Sequence, residues 1–262
     1  MWHFAEDDGM DNFWLPLGGD LDPENAANYD RLVQACLATG AHCVVDVDAR
    51  WNGGIFGQGG PSNEQFVSLW TQLAAKYASS DKIIFGIMNE PHDVPDIKKW
   101  VETVQAVILL PGDDWTSAEA MAHGSGPALL DVKNPDGSIN GLVFDVHMYL
   151  DSDLSGTHPD CVRDNISSAF QSLAAWLRSH KRQALTSETG RGNTPSCEKY
   201  LCRQIQFFQE NADVFLGYTG WAAGVFDAQT YHLSEVPTKQ GDKWENTALV
   251  KACLVRKPGT SG

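Results

Sequence analysis

Short runs of β-branched and aromatic residues alternate with longer segments of helix-like spacing through most of the chain. This alternation is typical of a parallel sheet whose strands are joined by crossover helices. The pattern therefore predicts an α/β fold. The predicted strands are Asn12–Leu17, His42–Val47, Lys82–Met88, Ala106–Leu110, Leu142–His147, Arg182–Glu188 and Val214–Trp221.

The segments between these strands predict helices, some of which begin at residues that commonly cap helix N-termini. Ser62 or Asn63 precedes one apolar run, and Asn165 precedes another. The predicted helices are Pro23–Thr39, Asn63–Ala78, Asp96–Gln105, Ser117–His123, Asn165–His180, Cys197–Asn211 and Glu245–Cys253.

Two of the predicted strands lead into a glutamate, Glu90 and Glu188. A carboxylate at the end of a buried strand is costly unless something compensates for it, and each glutamate could simply cap a helix or form a structural ion pair. In a barrel of parallel strands, however, the carboxyl ends of the strands hold the active site. Two glutamates there suit retaining glycoside hydrolysis, in which one carboxyl protonates the leaving oxygen and the other, about 5–5.5 Å away, attacks the anomeric carbon.

Length and charge narrow the function further. The chain has 262 residues, about the length of one barrel of eight strand–helix units, so we expect a single domain over residues 1–262. A net charge of -15 disfavours nucleic acid and anionic membranes as partners. A neutral polysaccharide fits better, and the nine tryptophans offer flat faces for sugar stacking. We expect a monomer.

The six cysteines form an even set without a CxxC pair, which indicates disulfides and an oxidising compartment rather than a zinc ribbon. Their connectivity stays open at this point, and scattered free thiols in a cytosolic enzyme are the alternative. No apolar run is long enough to span a bilayer. Because Met1–Asp8 lacks a basic and an apolar region, we expect any secretion signal to lie outside these residues.

Taken together, the motifs resemble the fungal endo-β-1,4-glucanases (cellulases) of glycoside hydrolase family 5, and the resemblance covers nearly the whole chain. It implies a TIM (β/α)8-type barrel that degrades cellulose outside the cell, without a metal or other cofactor. The matching segments are Ala49–Gly54, Phe85–Asp93, Leu110–Trp115, Phe144–Asp153, Ser187–Gly190 and Gly220–Trp221.

The resemblance also implies roles for single residues. Glu90 would be the general acid/base and Glu188 the nucleophile, with Asn89 bonded to the sugar 2-hydroxyl. The remaining binding residues would be His147 and Tyr149 beside the carboxylates, Trp221 as a stacking floor, and Trp115 and Trp51 in outer subsites. The implied disulfides are Cys36–Cys43, Cys161–Cys197 and Cys202–Cys253.

Several family features are missing from this chain. Trp14 stands where the family has an arginine that keeps the nucleophile ionised. The His-Asn pair after the third family strand is absent, because Asp48 leads directly to Ala49 and Arg50. The first family strand is not found, and Gln105–Ile108 joins a helix to a strand without a turn residue. We therefore expect a shortened barrel whose stability and activity are below those of a complete relative.

Two alternatives remain open at the sequence level. A mannanase or xyloglucanase of the same family would keep both glutamates, because the loops select the sugar. A glucan-binding form with little or no catalysis would keep the aromatic cleft without the arginine and the His-Asn pair. Retention of Glu90 and Glu188 favours an enzyme, since a binding protein needs neither carboxylate.

Overall fold

The computed structural model describes residues 1–18, 21–48, 59–94, 109–224, 226 and 230–255. These residues belong to two compact units. The first comprises Met1 and Asp11–Asp145, and the second comprises Trp2–Met10 and Val146–Gly262.

Parallel strands in sequence order form the frame of the first unit. They are β1 Asn12–Leu17, β2 His42–Val47, β3 Ile83–Gly86, β4 Leu109–Pro111 and the start of β5 Val143–His147. The pairing of β1 with β2 runs the full length of both strands, and in the described part of β3 and β4 the two strands meet at Gly86 and Leu109. Nearly all of β2 is buried, as expected for a strand covered on both faces.

Two long helices of the first unit each begin directly after an N-cap residue. Asp22 accepts hydrogen bonds from two backbone amides at the start of Pro23–Leu37. Ser62 and Gln65 form a capping box at the start of Asn63–Tyr77. Three short helical turns lie between β4 and β5: Asp113–Thr116, Ala118–Met121 and Ser125–Leu129.

The second unit is built around β6 Ala184–Gly190, which is buried along its whole length and pairs with β7 Phe215–Trp221. The end of β5 provides its other neighbour. A hairpin of β8 Thr238–Gln240 and β9 Lys243–Glu245 follows. The helical segments are Trp2–Glu6, the π-helical turn Ile166–Phe170 with Gln171–His180, Pro195–Glu210, and a second π-helical turn Val250–Leu254.

All seven predicted strands correspond to observed strands, and β1 and β2 have the predicted bounds. The predicted helix Asp96–Gln105 and the residues Ala106–Ile108 lie outside the described residues. The helix predicted from Glu245 is wrong at its start, because Glu245 ends β9 of a hairpin that the pattern did not predict. Within Met1–Gly18 the only strand is β1, so no additional strand precedes it there.

Disulfides join Cys36 to Cys43, Cys161 to Cys197 and Cys202 to Cys253, which are the three pairs that the resemblance implies. The first ties the helix Pro23–Leu37 to β2, and the third ties Pro195–Glu210 to Val250–Leu254. Across the described part of the chain, no helix has the length and apolar character needed to span a membrane.

Candidate active site

Glu188 lies in the carboxyl-terminal half of β6 and is only 5% exposed. Its Oε1 accepts a hydrogen bond from the Tyr149 hydroxyl, and its Oε2 lies 3.7 Å from His147 Nδ1. A buried carboxylate needs such polar neighbours, because each hydrogen bond donated to it favours the charged form. The arrangement therefore suits a carboxylate that acts as a nucleophile.

The imidazole of His147 connects two consecutive residues of β6. Its Nε2 lies 2.9 Å from the Ser187 hydroxyl, while Nδ1 faces Glu188. Consecutive residues of a regular strand point to opposite faces. The pairing of β6 with β7 shifts register between Thr186 and Thr189, and such an irregularity re-aims side chains at functional sites.

Trp221 ends β7 in the same unit and is half-buried. Its indole nitrogen donates a 2.8 Å hydrogen bond to the Tyr231 hydroxyl, and the Tyr231 ring stacks on Phe226 with centroids 4.5 Å apart. Burial raises the pKa of Tyr231, the hydrogen bond from Trp221 lowers it, and the negative charge of Glu188 raises it, so that the pKa is raised overall. The phenol therefore stays neutral and holds the indole in one orientation.

In the first unit, Asn89 and Glu90 follow directly after β3. The backbone N–H of Asn89 donates a 2.8 Å hydrogen bond to the carbonyl of Val47 at the end of β2, which fixes the backbone there. Among the described residues, the buried Oδ1 of Asn89 has no hydrogen-bond partner. Glu90 is half-buried and has a positive φ of 49°, a conformation that non-glycine residues adopt mainly at turns and functional sites.

Trp115 is held beside the same segment. Its amide donates to the carbonyl of Pro91 at 3.1 Å, and its ring stacks on His92 with centroids 4.6 Å apart. The residue is nevertheless 52% exposed. A tryptophan supported by a second ring and open to solvent can stack against a sugar.

The second unit thus brings together Glu188, His147 and Tyr149, with Trp221 linked to Tyr231 nearby. The first unit places Asn89, Glu90 and Trp115 along one segment. Trp51 lies outside the described residues. The pattern of the sequence did not predict Ser187 or Tyr231. Ser187 could have been suspected from its place next to Glu188, whereas Tyr231 lies in an irregular segment without periodicity.

A second group of polar residues lies in the loop that follows Tyr149. Ligand atoms of Asp151, Asp153 and His158 lie within 4.8 Å of one another, a spacing that could hold a metal ion. The Asp151 oxygens, however, already accept hydrogen bonds from the amides of Gly156 and His158. This group therefore organises its own loop.

Comparison with known proteins identifies relatives of the chain. A family model described as cellulase (glycosyl hydrolase family 5) matches residues 3–224. The endoglucanase EG-II of Hypocrea jecorina is 53% identical over 283 residues, and the match covers 98% of this chain and 67% of that protein. The chain thus spans about two thirds of the length of this relative.

Solved structures give the same result for the fold. The crystal structure of Cel5A (EG2) from Hypocrea jecorina is 53% identical, with a TM-score of 0.91 over 97% of this chain and 85% of that one. XacCel5A in complex with cellopentaose is 27% identical, with a TM-score of 0.81 over 96% of this chain and 88% of that one. The predicted α/β fold, a TIM (β/α)8 type in a shortened form, is confirmed.

Proposed function

Because the chain belongs to the cellulases of glycoside hydrolase family 5, we propose that it is an endo-β-1,4-glucanase that cleaves internal bonds of cellulose. The structural observation that carries the proposal is the buried carboxylate of Glu188 with a hydroxyl donor and an imidazole beside it. The relatives support it as well, since one is named an endoglucanase and another structure contains cellopentaose.

In the proposed mechanism, Glu188 attacks the anomeric carbon and forms a covalent glycosyl–enzyme intermediate. Glu90 protonates the departing glycosidic oxygen and then takes a proton from the water that releases the sugar. Tyr149 and His147 hold the Glu188 carboxylate. The Oδ1 of Asn89, which is buried and has no hydrogen-bond partner among the described residues, suits the sugar 2-hydroxyl, whose hydrogen bond strengthens as the oxocarbenium-like transition state forms.

The aromatic residues are proposed as sugar platforms. Trp221, oriented by Tyr231, would stack against the sugar next to the cleaved bond. Trp115 would serve an outer subsite, because His92 supports one side of its ring and the residue remains exposed. Trp51 stays a prediction for another outer subsite. These flat apolar faces match the apolar faces of a β-glucan chain.

Release of reducing ends from carboxymethyl cellulose tests the activity. Glu188→Gln and Glu90→Gln should each lower turnover by at least about a hundredfold, a typical contribution of one acid, base or nucleophile. Glu198→Gln, an exposed acidic residue of the same unit as Glu188, is the matched control and should keep wild-type turnover. Unchanged hydrolysis by both site variants would refute the assignment.

Azide rescue distinguishes the two carboxylates. With an aryl cellobioside that has a good leaving group, azide should accelerate Glu90→Ala and give a product that retains the β configuration. The same anion should rescue Glu188→Ala with inversion, because it then replaces the nucleophile itself. The reverse pattern would exchange the two roles.

Hydrolysis and binding assays also test the two alternative functions. A mannanase or xyloglucanase would release reducing sugar from its own polymer in preference to carboxymethyl cellulose. A glucan-binding form would bind cellopentaose without turnover, and Trp14 in place of the family arginine is the observation that favours it. Loss of hydrolysis in Glu188→Gln, from an active wild type, excludes the binding form.

We further propose that residues 1–262 act as one secreted catalytic domain and as a monomer, with cellulose as partner and neither nucleic acid nor membrane. Three disulfides support an oxidising compartment. The charge of -15 disfavours polyanionic partners. Size-exclusion chromatography with light scattering tests the monomer.

A further inference from the structure

The segment Asp151–Pro159, here called the clamp loop, presses against the ring of Tyr149. A Cβ placed on Gly156 would lie 2.5 Å from Cε1 and 2.6 Å from Cδ1 of that ring, closer than real Cβ contacts come. From β6, a Cβ on Gly190 would also collide with this edge, at 2.8 Å from Cδ1. Two glycines thus let the backbone approach one edge of the tyrosine.

The clamp loop is held in shape by one buried carboxylate. Asp151 is 2% exposed, and its Oδ1 and Oδ2 accept hydrogen bonds of 3.1 Å from the amides of Gly156 and His158. Gly156 has a φ of +72°, which glycine adopts without strain. Asp151 therefore fixes the position at which Gly156 meets the ring.

Both ends of the clamp loop are anchored to the elements around Glu188. At the far end, the carbonyl of Pro159 accepts a 3.1 Å hydrogen bond from Gly192, and the Cys161–Cys197 disulfide follows directly. At the near end, the backbone amide of Leu150 donates a 3.3 Å hydrogen bond to the carbonyl of Gly190 in β6. The loop is therefore fixed relative to β6 and cannot easily release the ring.

We propose that the clamp loop positions the Tyr149 hydroxyl on Glu188, and that Gly156 and Asp151 are positioning residues for the nucleophile. The inference rests on the proposed function, in which Glu188 attacks the sugar. A hydrogen bond to a carboxylate depends steeply on distance and angle, so a small shift of the ring changes how the carboxylate is held. His147 and Tyr231 also lie near Glu188 in this unit.

The test is a double-mutant cycle of Gly156→Ala and Tyr149→Phe, with kcat and KM measured on a soluble cellooligosaccharide. Gly156→Ala should lower kcat by about tenfold, because small misplacements of catalytic groups cost one to two orders of magnitude, and should leave KM nearly unchanged. The double variant should be no slower than Tyr149→Phe alone, within about twofold. Multiplied effects, or an unchanged kcat in Gly156→Ala, would overturn the proposal.

Gly241→Ala is the matched control. Gly241 also has a positive φ, +62°, but nothing lies within 4 Å of its Cβ position, so this variant introduces the same kind of backbone strain without touching Tyr149. It should keep wild-type kcat. Should Gly156→Ala fail to fold, as judged by near-UV circular dichroism, Asp151→Asn enters the same cycle with the same expected pattern.

A crystal structure of Gly156→Ala provides a reading that does not require activity. The Tyr149 hydroxyl should lie beyond hydrogen-bond distance of Glu188 Oε1, and an unchanged bond would overturn the inference. Glu188→Gln, assayed in parallel, separates the two proposals. If it leaves turnover unchanged, the assigned nucleophile is wrong. If Glu188→Gln abolishes turnover, while the kcat losses of Gly156→Ala and Tyr149→Phe multiply in the double variant, only the positioning role fails.

Discussion

Arg191 and Glu235 form an ion pair that is shielded from water, with side-chain exposures of 1% and 8%. Arg191 Nη1 also donates a 3.2 Å hydrogen bond to the carbonyl of Trp221. Gly220 makes room for the pair, since a Cβ there would lie 3.1 Å from the Glu235 carboxyl carbon. The end of β7, which carries the proposed sugar platform, is thus attached to a buried charge pair.

Arg191→Met should lower the free energy of unfolding by about 3–5 kcal/mol, because it leaves the Glu235 carboxylate buried without its partner. Urea unfolding at neutral pH measures the change. Arg178→Met is the control, since Arg178 pairs with Asp213 at 2.7 Å but both side chains are about half exposed. Because solvent screens that pair, Arg178→Met should lower the free energy of unfolding far less. Equal losses would contradict the importance of burial.

Tyr231→Phe should weaken substrate binding more than it slows turnover. The change removes the acceptor of the Trp221 indole but keeps a ring against Phe226. We expect KM for cellopentaose to rise about two- to tenfold, the equivalent of one neutral hydrogen bond. Tyr200→Phe, on the helix Pro195–Glu210, is the control and should leave KM unchanged. A fall in kcat at constant KM would argue against a platform role for Trp221.

His3 should make stability depend on pH. Burial lowers its pKa, but hydrogen bonds to Asp7 and Asn246 and the charge of Asp8 outweigh burial, and the pKa is raised overall. A raised folded pKa means that the stabilisation is fully present below the unfolded value of about 6.5 and is lost as pH rises through the folded value. The melting temperature of wild type should therefore exceed that of His3→Gln by more at pH 5.5 than at pH 8.5. An equal difference at both values would contradict the linkage.

Much of the frame follows from the sequence because buried parallel strands have a strong apolar signal. The ends of strands and helices follow less well from the sequence, because tertiary contacts decide them. The predicted strand Lys82–Met88 ends earlier, at Gly86, although Ile87 and Met88 are fully buried. Burial alone thus did not mark the end of the strand. Asn165 precedes the helical segment that begins at Ile166, as predicted, but its side chain does not cap it: its backbone is in the left-handed region, and its side-chain amide donates to the Tyr149 carbonyl.

Parts of the site could not be predicted from local patterns. Arg191 meets Glu235, and Trp221 meets Tyr231, only through tertiary packing, and the segment that follows β7 has no periodicity. The hairpin had a local signal, since Gly241 and Asp242 form a two-residue turn of a favoured type between two short strands. Its strands are almost entirely exposed and polar, so the alternation that usually identifies strands was missing.

Tyr29 should reduce stability at alkaline pH. Its buried hydroxyl donates a 2.6 Å hydrogen bond to the Leu15 carbonyl. Burial, followed by the negative charge of Asp46, raises the pKa of Tyr29 well above its usual value. Because the unfolded tyrosine ionises first, stability is present below pH of about 10 and is lost as pH rises beyond it.

Tyr29→Phe should therefore lower the free energy of unfolding by about 1–3 kcal/mol at pH 7, because the buried Leu15 carbonyl loses its hydrogen-bond donor. Above pH of about 10 the free energies of unfolding of wild type and variant should come closer together. Only the wild type loses stability through ionisation of this hydroxyl, by at most about 1.4 kcal/mol per pH unit. Urea unfolding at pH 7, 9, 10 and 11 measures both effects. A difference that stays constant or widens across this series would show that Tyr29 does not titrate with unfolding.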